Sequence, residues 1–298
     1  MKFYAILLTT VFLAFFTSCD KEEQPPSYIH FDQITFEANP NASTLQGSLR
    51  HRIPNVYVTI NDESDSDPAQ DLGFQNIPAT FPYLGVGPNT IRARPAVPVS
   101  GSGTSIIEYP FFEPFILNSY DFKLLEVDTI SLTTRYRDDD EIQIFFNENF
   151  EENSSIFRDY DTPEMEGLLV NQTEDVYEGT QSGYIHLDAG NPLVFVATTD
   201  VYALDLNEPY LEMDYKTDVP LRFGLIGNNG GNVDVLEIGG VIPKDTWNKV
   251  YYQLKDAVSN LNSRGFNNFQ FYFAAEILTI QAEEANIYID NIKLLKQR

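Results

Sequence analysis

Alternation of apolar and polar residues leaves the second half of this chain little choice but β-sheet. Leu221, Phe223 and Leu225 alternate with Arg222 and Gly224, Val250, Tyr252 and Leu254 with Tyr251 and Gln253, and Phe269, Phe271 and Phe273 with Gln270 and Tyr272. Successive side chains of a strand point to opposite faces, so each triplet predicts one buried face and one outward face. In the first half the same reading applies to Tyr28-Ile29-His30-Phe31, to Ile53 through Ile60, to Thr90 through Arg94, to Ser105 through Tyr109 and to a long stretch from Asp121 to Arg135. Pro and Gly punctuate the intervals and no long helical pattern competes, which predicts an all-β chain. Its 22 Phe and 17 Tyr supply wide apolar surfaces for packing sheets. The one cysteine allows no internal disulfide, so stability has to come from that packing.

A length of 298 residues is enough for about two domains. Asp138-Asp139-Asp140 is a charged break between two apolar stretches and places the boundary: a small antiparallel β-sandwich over 28–138, then a second sandwich over 141–298. Three adjacent carboxylates cannot all converge on one ion, so the run itself reads as a solvated turn. The chain carries 19 Lys+Arg against 44 Asp+Glu, a net charge of −25. Such a surface repels the phosphates that dominate nucleic-acid affinity, and nucleic acid is excluded as a partner. A basic patch lying on anionic lipid is excluded with it, whereas cations and neutral ligands are favoured.

Lys2 precedes an apolar run from Ala5 to Phe16, about the length of a signal-peptide core and short of the ~20 residues of a membrane span. Residues 1–18 are therefore expected to be a leader. It ends in Phe16-Thr17-Ser18-Cys19, which resembles the lipobox of bacterial lipoproteins, with Phe16 in place of the usual Leu. The resemblance implies lipidation of the Cys19 thiol and attachment to the outer membrane through acyl chains. Residues 19–27 then form a lipidated tether. Within it, Asp20-Lys21-Glu22-Glu23 is similar to the short acidic signal with which the Bacteroidota send lipoproteins to the cell surface, and Gln24-Pro25-Pro26-Ser27 reads as a stiff spacer.

In the first sandwich, Pro54-Asn55-Val56-Tyr57-Val58, Leu72-Gly73-Phe74, Ile77-Pro78-Ala79 and Tyr109-Pro110-Phe111-Phe112 resemble a repeating pattern of Bacteroidota lipoproteins, in which a sheet closes on an aromatic corner. Tyr109, Phe111 and Phe112 then either pack within that corner or partly face a protein partner. The second sandwich presents, in order, Asn149-Phe150-Glu151, the stretch from Tyr177 to Tyr184, Thr246-Trp247-Asn248-Lys249 and Ile287-Tyr288-Ile289-Asp290-Asn291-Ile292. This order resembles the galactose-binding-like jelly roll, the fold of many carbohydrate-binding modules. The resemblance implies a jelly-roll β-sandwich and a structural calcium ion held by Glu151, Asp290 and carbonyls of the Tyr177 to Gly183 turn.

Catalytic patterns are missing. His30, His51 and His186 are scattered, HExxH, GxSxG and the P-loop are absent, and Gly227 to Gly231 lacks a lysine and reads as a turn. Glu212 and Asp214 have the chemistry of an acid/base dyad, but with 44 acidic residues such pairs arise by chance. A non-enzyme is expected. Asp128-Thr129-Ile130 fits the short pattern that exported Bacteroidota proteins use for O-glycosylation, which makes Thr129 a candidate site. The expected function is a binding or scaffold subunit of an outer-membrane assembly, docking on a β-barrel of a barrel-insertion machine or a SusC/SusD-like transporter. The alternative is a glycan-binding surface lipoprotein, for which Arg222, Tyr251, Gln270 and Tyr272 alternate away from the core and are expected to share a polar face.

Overall fold

The structure, a computed structural model, describes residues 25–298 apart from 43, 62–69, 85–87, 100–104, 153, 162–166 and 279–280. The leader, Cys19 and the acidic run Asp20 to Glu23 lie outside the described residues. Among those described, no helix is long and apolar enough to cross a membrane.

Strands β1 (Ser27–Phe36), β2 (Asn55–Ile60), β3 (Gln70–Asn76), β4 (Ala79–Tyr83), β5 (Pro88–Pro98), β6 (Ile106–Glu108), β7 (Phe115–Asp121) and β8 (Val127–Thr134) build the N-terminal sandwich. One sheet has the order β4-β1-β8 and the other runs β3-β2-β5-β6, with β7 also paired to β5. Ile29, Phe31, Val56, Val58, Ile60, Ile130 and Leu132 meet in its core, as their alternation predicts. Two features depart from the reading. β8 runs parallel to β1, so the sandwich is not wholly antiparallel; the chain reaches β8 only after laying down the opposite sheet, which provides the crossover a parallel pair needs. The stretch from Asp121 to Arg135 is also not one strand. Leu125 adopts φ +64 and is 70% exposed, and this left-handed residue breaks the extended run between β7 and β8.

The C-terminal sandwich is a jelly roll made of β9 (Ile142–Glu148), β10 (Phe157–Asp159), β11 (Leu169–Gln172), β12 (Ser182–Leu187), β13 (Leu193–Thr198), β14 (Tyr210–Thr217), β15 (Leu221–Asn229), β16 (Asn232–Val241), β17 (Lys244–Gln253), β18 (Asn268–Glu276) and β19 (Ala285–Gln297). Its front sheet has the order β10-β13-β18-β15-β16, and its back sheet β11-β12-β19-β14-β17, with β9 lying beside the far end of β19. All three alternating triplets turn their apolar members into the space between these sheets. Fully burying a phenylalanine stabilises by about 1.5–3 kcal/mol, so Phe269, Phe271 and Phe273 make β18 a central support of the fold. Short helix α1 (Lys255–Ser263) closes one end by packing Ala257, Val258 and Leu261 on this core. It ends where the N–H groups of Gly265 and Phe266 return to the carbonyls of Asn262 and Leu261, a Schellman cap. Strand alternation gives no sign of α1; its signal is the spacing of those three apolar residues before Gly265.

The two sandwiches meet along the outer face of the back sheet. Val99, just past β5, bridges to Tyr251 of β17, and Tyr109, Phe111, Phe112 and Tyr136 pack with Tyr210 and Tyr251 in one buried cluster. Tyr109, Phe111 and Phe112 are at most 2% exposed. The aromatic corner therefore faces the back sheet of its own chain and has no surface to offer an outside protein.

Candidate functional site

Three of the four residues expected on a shared polar face come together, on the outer side of the front sheet. Hydrogen-bond register sets Tyr272 of β18 between Ala197 of β13 and Gly224 of β15, and Gln270 opposite Ile226; Arg222 lies one step along β15, opposite Ala274. The Tyr272 ring rests directly over Gly224, where a Cβ would come within 2.6 Å of it, so glycine is required for this close approach. Phe195 stacks on Tyr272 with centroids 4.8 Å apart and an interplanar angle of 22°, and Tyr160 meets Phe195 edge-on at 5.4 Å. Gln270 donates from Nε2 to the Thr198 carbonyl at 2.5 Å and accepts from Asn228 at 3.2 Å. Arg222 sits at the rim, 3.4 Å from Glu237 and 3.6 Å from Glu276.

Beside this floor runs a groove of about 660 Å³ bounded by Arg158, Asp159, Tyr160, Asp161 and Gln270. A second hollow of about 400 Å³ opens on the other side of Arg158 and Asp159. Burial raises the Asp159 carboxyl above the usual range, and the neighbouring Asp161 adds to the effect. Tyr272 itself is only 3% exposed, so it serves as floor, while Tyr160 and Phe195 keep part of their surface open. Sequence reading missed both of them. Phe195 was legible, because it alternates with the buried Val194 and Val196.

Tyr251 is the exception. It belongs to β17 of the back sheet, is 1% exposed, and lies under Tyr109, whose ring is 4.8 Å away. It does point away from the jelly-roll core, as alternation requires, but the N-terminal sandwich covers the face on which it stands.

Beneath that cover lies a charged cluster. Glu212 accepts hydrogen bonds from Tyr109 at 2.7 Å and from Tyr136 at 2.8 and 3.0 Å, and the Lys249 ammonium stands 3.2 Å from Asp214 and 3.6 Å from Glu212. Lys293 donates to the Tyr136 hydroxyl at 3.1 Å. Burial works against the Lys249 ammonium, but Asp214 and Glu212 outweigh it and hold its pKa up. Burial also pushes Asp214 up to about 6 and Lys293 down to about 8. His51 lies 3.9 Å from Glu212; burial, with Lys293 and Lys249 nearby, drives its pKa well below the ordinary range and keeps the ring neutral. Glu212 and Asp214, the carboxylates with dyad chemistry, are both fully buried here.

Glu151 and Asp290 are brought to one turn, at Glu178 to Gln181. Glu151 accepts from the backbone N–H of Thr180 and Gln181 at 2.7 and 2.9 Å and from the Thr180 hydroxyl at 2.6 Å. Burial is the largest single influence and opposes its charge, but these bonds together prevail and lower its pKa. Asp290 accepts from the N–H of Glu178 at 3.2 Å and of Asn291 at 2.8 Å, and burial pushes its carboxyl up to about 8. The turn thus presents N–H groups to both carboxylates; a calcium ion there would also need carbonyl oxygens. Among the described residues no group of three or more His, Cys, Asp or Glu is arranged to hold a metal. As arranged, both carboxylates already hold N–H donors of the turn. Thr129 is exposed on β8, an edge strand, within reach of a modifying enzyme.

No protein-family model matches the sequence, and no curated protein matches it. Among solved structures it is similar to a family 30 carbohydrate-binding module (15% identity, TM-score 0.38, covering 52% of this chain and 89% of that one). Others are the CBM22-1 xylan-binding domain from Paenibacillus barcinonensis (17%, TM-score 0.36, 52% and 94%) and a family 61 module in complex with β-1,4-galactotriose (13%, TM-score 0.32, 50% and 94%). At TM-scores this low, the likeness assigns no ligand to this chain. The sheet order and core stand on their own: the protein is all-β, a small sandwich followed by a jelly roll with a groove on its front sheet.

Proposed function

We propose that this protein is a non-enzymatic, lipid-anchored glycan-binding protein of a bacterial outer membrane, held through Cys19 with its body at the cell surface. The observation that carries the reading is the front-sheet groove, where the partly open Tyr160 ring, packed edge-on against Phe195, stands beside the polar groups of Arg158, Asp159 and Gln270. Sugars are recognised by that combination, with C–H faces against rings and hydroxyls against fixed polar groups. The net charge of −25 favours neutral glycans over polyanionic ones. An assembly subunit is the weaker reading, because the aromatic corner that suggested a protein partner is turned inward.

Calorimetric titration against a panel of neutral oligosaccharides tests the proposal. At least one should bind, and Tyr160→Ala with Gln270→Ala should weaken it by roughly tenfold or more, given that each such contact contributes about 1 kcal/mol. Binding unchanged in the double variant removes the groove as the site. The anchor is tested separately: Cys19→Ser should release the protein from membranes in detergent-free fractionation, and retention there would assign attachment to protein contacts.

A further inference from the structure

The outer face of the back sheet is only partly covered by the N-terminal sandwich. Beyond the covered area it carries a row of five aromatic rings: Tyr177, Trp247, Tyr288, Tyr184 and His186, with successive centroids 5.5, 6.4, 5.0 and 6.4 Å apart. Tyr184 and Tyr288 are directly opposite in the β12–β19 pair. Every ring in the row remains partly exposed. Beside Tyr184 and Tyr288 opens a hollow of about 330 Å³, closed by Gln172, Thr173 and Glu174.

The walls of this hollow are held in place. The Tyr184 hydroxyl donates to Asn286 at 2.7 Å, and Asn286 donates to Asp218 at 3.0 Å. Gln172 Oε1 accepts from the N–H groups of Glu174 and Asp175 at 2.6 and 3.0 Å, fixing the loop that carries Glu174. Trp247 donates to Asp175 at 2.8 Å.

Charge decides what such a hollow takes. Glu174 lines it, and Asp218 and Glu284 act on the Tyr184 phenol from nearby. Lys216 is bound to Asp175 and already stands over the Tyr288 ring, 5.3 Å from its centroid, which is the interaction this row of rings offers a cation. Tyr184 and Tyr288 lean on one another at 31°, so they do not form the flat platform on which a pyranose stacks. A compact cation needs only a π-face and a carboxylate.

We propose that the hollow at Tyr184, Tyr288 and Glu174 binds a compact alkylammonium ion of the trimethylammonium class, its methyl groups against the two rings and its charge balanced by Glu174. The site is separate from the front-sheet groove and stands or falls independently of it. Trp247 is the one tryptophan of the chain and lies 6.4 Å from Tyr288, so its fluorescence reports on this face. Titrating the detergent-solubilised full chain with tetramethylammonium and with choline should give a saturable change, while the neutral isostere 3,3-dimethylbutanol should give none. Glu174→Gln, on an exposed loop, should leave the fold intact and weaken the response roughly tenfold, and Tyr288→Leu should abolish it. Phosphocholine should bind more weakly than choline, because its phosphate meets Glu174 and Asp218. An equal response to the neutral isostere, an unchanged response in both variants, or a saturable response to neutral oligosaccharides in place of the cations would overturn the proposal.

Discussion

The back sheet of the jelly roll has two faces of opposite chemistry, the inner one buried throughout and the outer one buried where the N-terminal sandwich covers it. Inward, β14, β17 and β19 present Leu211, Met213, Val250, Tyr252, Ile287 and Ile289 to an apolar core. Outward, the same strands present Glu212, Asp214, Lys249, Asp290 and Lys293, all at most 5% exposed. A bulge keeps the two sets apart on β19: Asn291 adopts φ +48 and the register shifts there, so that Ile292 turns inward and Lys293 outward. The difference teaches that burial alone does not define a core. One face is held by shape and apolar area. The other is held by pairing, and it tolerates burial only while each charge keeps its partner.

This contrast can be broken most directly by removing one member on each side. Phe271→Ala in the core should cost about 3–5 kcal/mol through lost transfer energy and a cavity. Lys249→Met in the junction should cost a similar ~3–5 kcal/mol, because it strands the Asp214 and Glu212 charges. Denaturant unfolding measures both; a Lys249→Met cost under about 1 kcal/mol, the value of a solvated pair, would mean that water reaches the junction. Tyr136→Phe should have a smaller effect, about 1.5–3 kcal/mol, since it removes a hydrogen bond to the Glu212 carboxylate without removing a charge.

Dependence on pH separates the faces further, because the carboxylates and ammonium groups stand on the outward face. Asp214 and Asp290 hold their protons up to about 6 and about 8 when folded, against about 4 when unfolded. The folded state binds more protons in those windows, so stability should fall as pH rises from about 4 to about 8, a fall that His51, neutral when folded but charged below about 6.5 when unfolded, partly offsets at the acid end. Lys293 works in the opposite sense: folded it releases its proton at about 8, unfolded at about 10.4, so stability should recover between those values. Melting temperatures taken across this range should therefore pass through a minimum near pH 8. Lys293→Met should remove the alkaline recovery; its persistence in that variant would place the titrating group elsewhere.

Calcium should have the smallest effect. With N–H groups of the turn already on Glu151 and Asp290, melting in excess calcium and in chelator should coincide. A higher melting temperature in calcium, lost in Asp290→Ala, would instead support the metal site that the jelly-roll resemblance implies.

Much of the fold was legible because strand alternation is a local property. Leu221, Phe223, Leu225 and the β18 phenylalanines could be set inward from their own segments, since a strand has only two faces and one of them must be apolar. The same logic put Arg222, Gln270 and Tyr272 on a common outer face. It could not show that Tyr251 would be covered, because a polar outward face reads alike whether water or another sheet lies over it. That was decided by contacts between residues far apart in the chain: Tyr251 to Arg52 is a separation of 199 residues and Tyr109 to Glu212 one of 103. The turn between Glu151 and Asp290 was a tertiary matter too. Sequence brings two carboxylates and a glycine turn into order, but whether they meet carbonyl oxygens or N–H groups depends on the peptide planes, and Gly179 at φ +78 turns the following amides toward Glu151. Sequence determined the strands and the sides they hide from water; only the packing of one sandwich on the other decided which polar face stays open to solvent, because that choice rests on surfaces meeting across the whole chain.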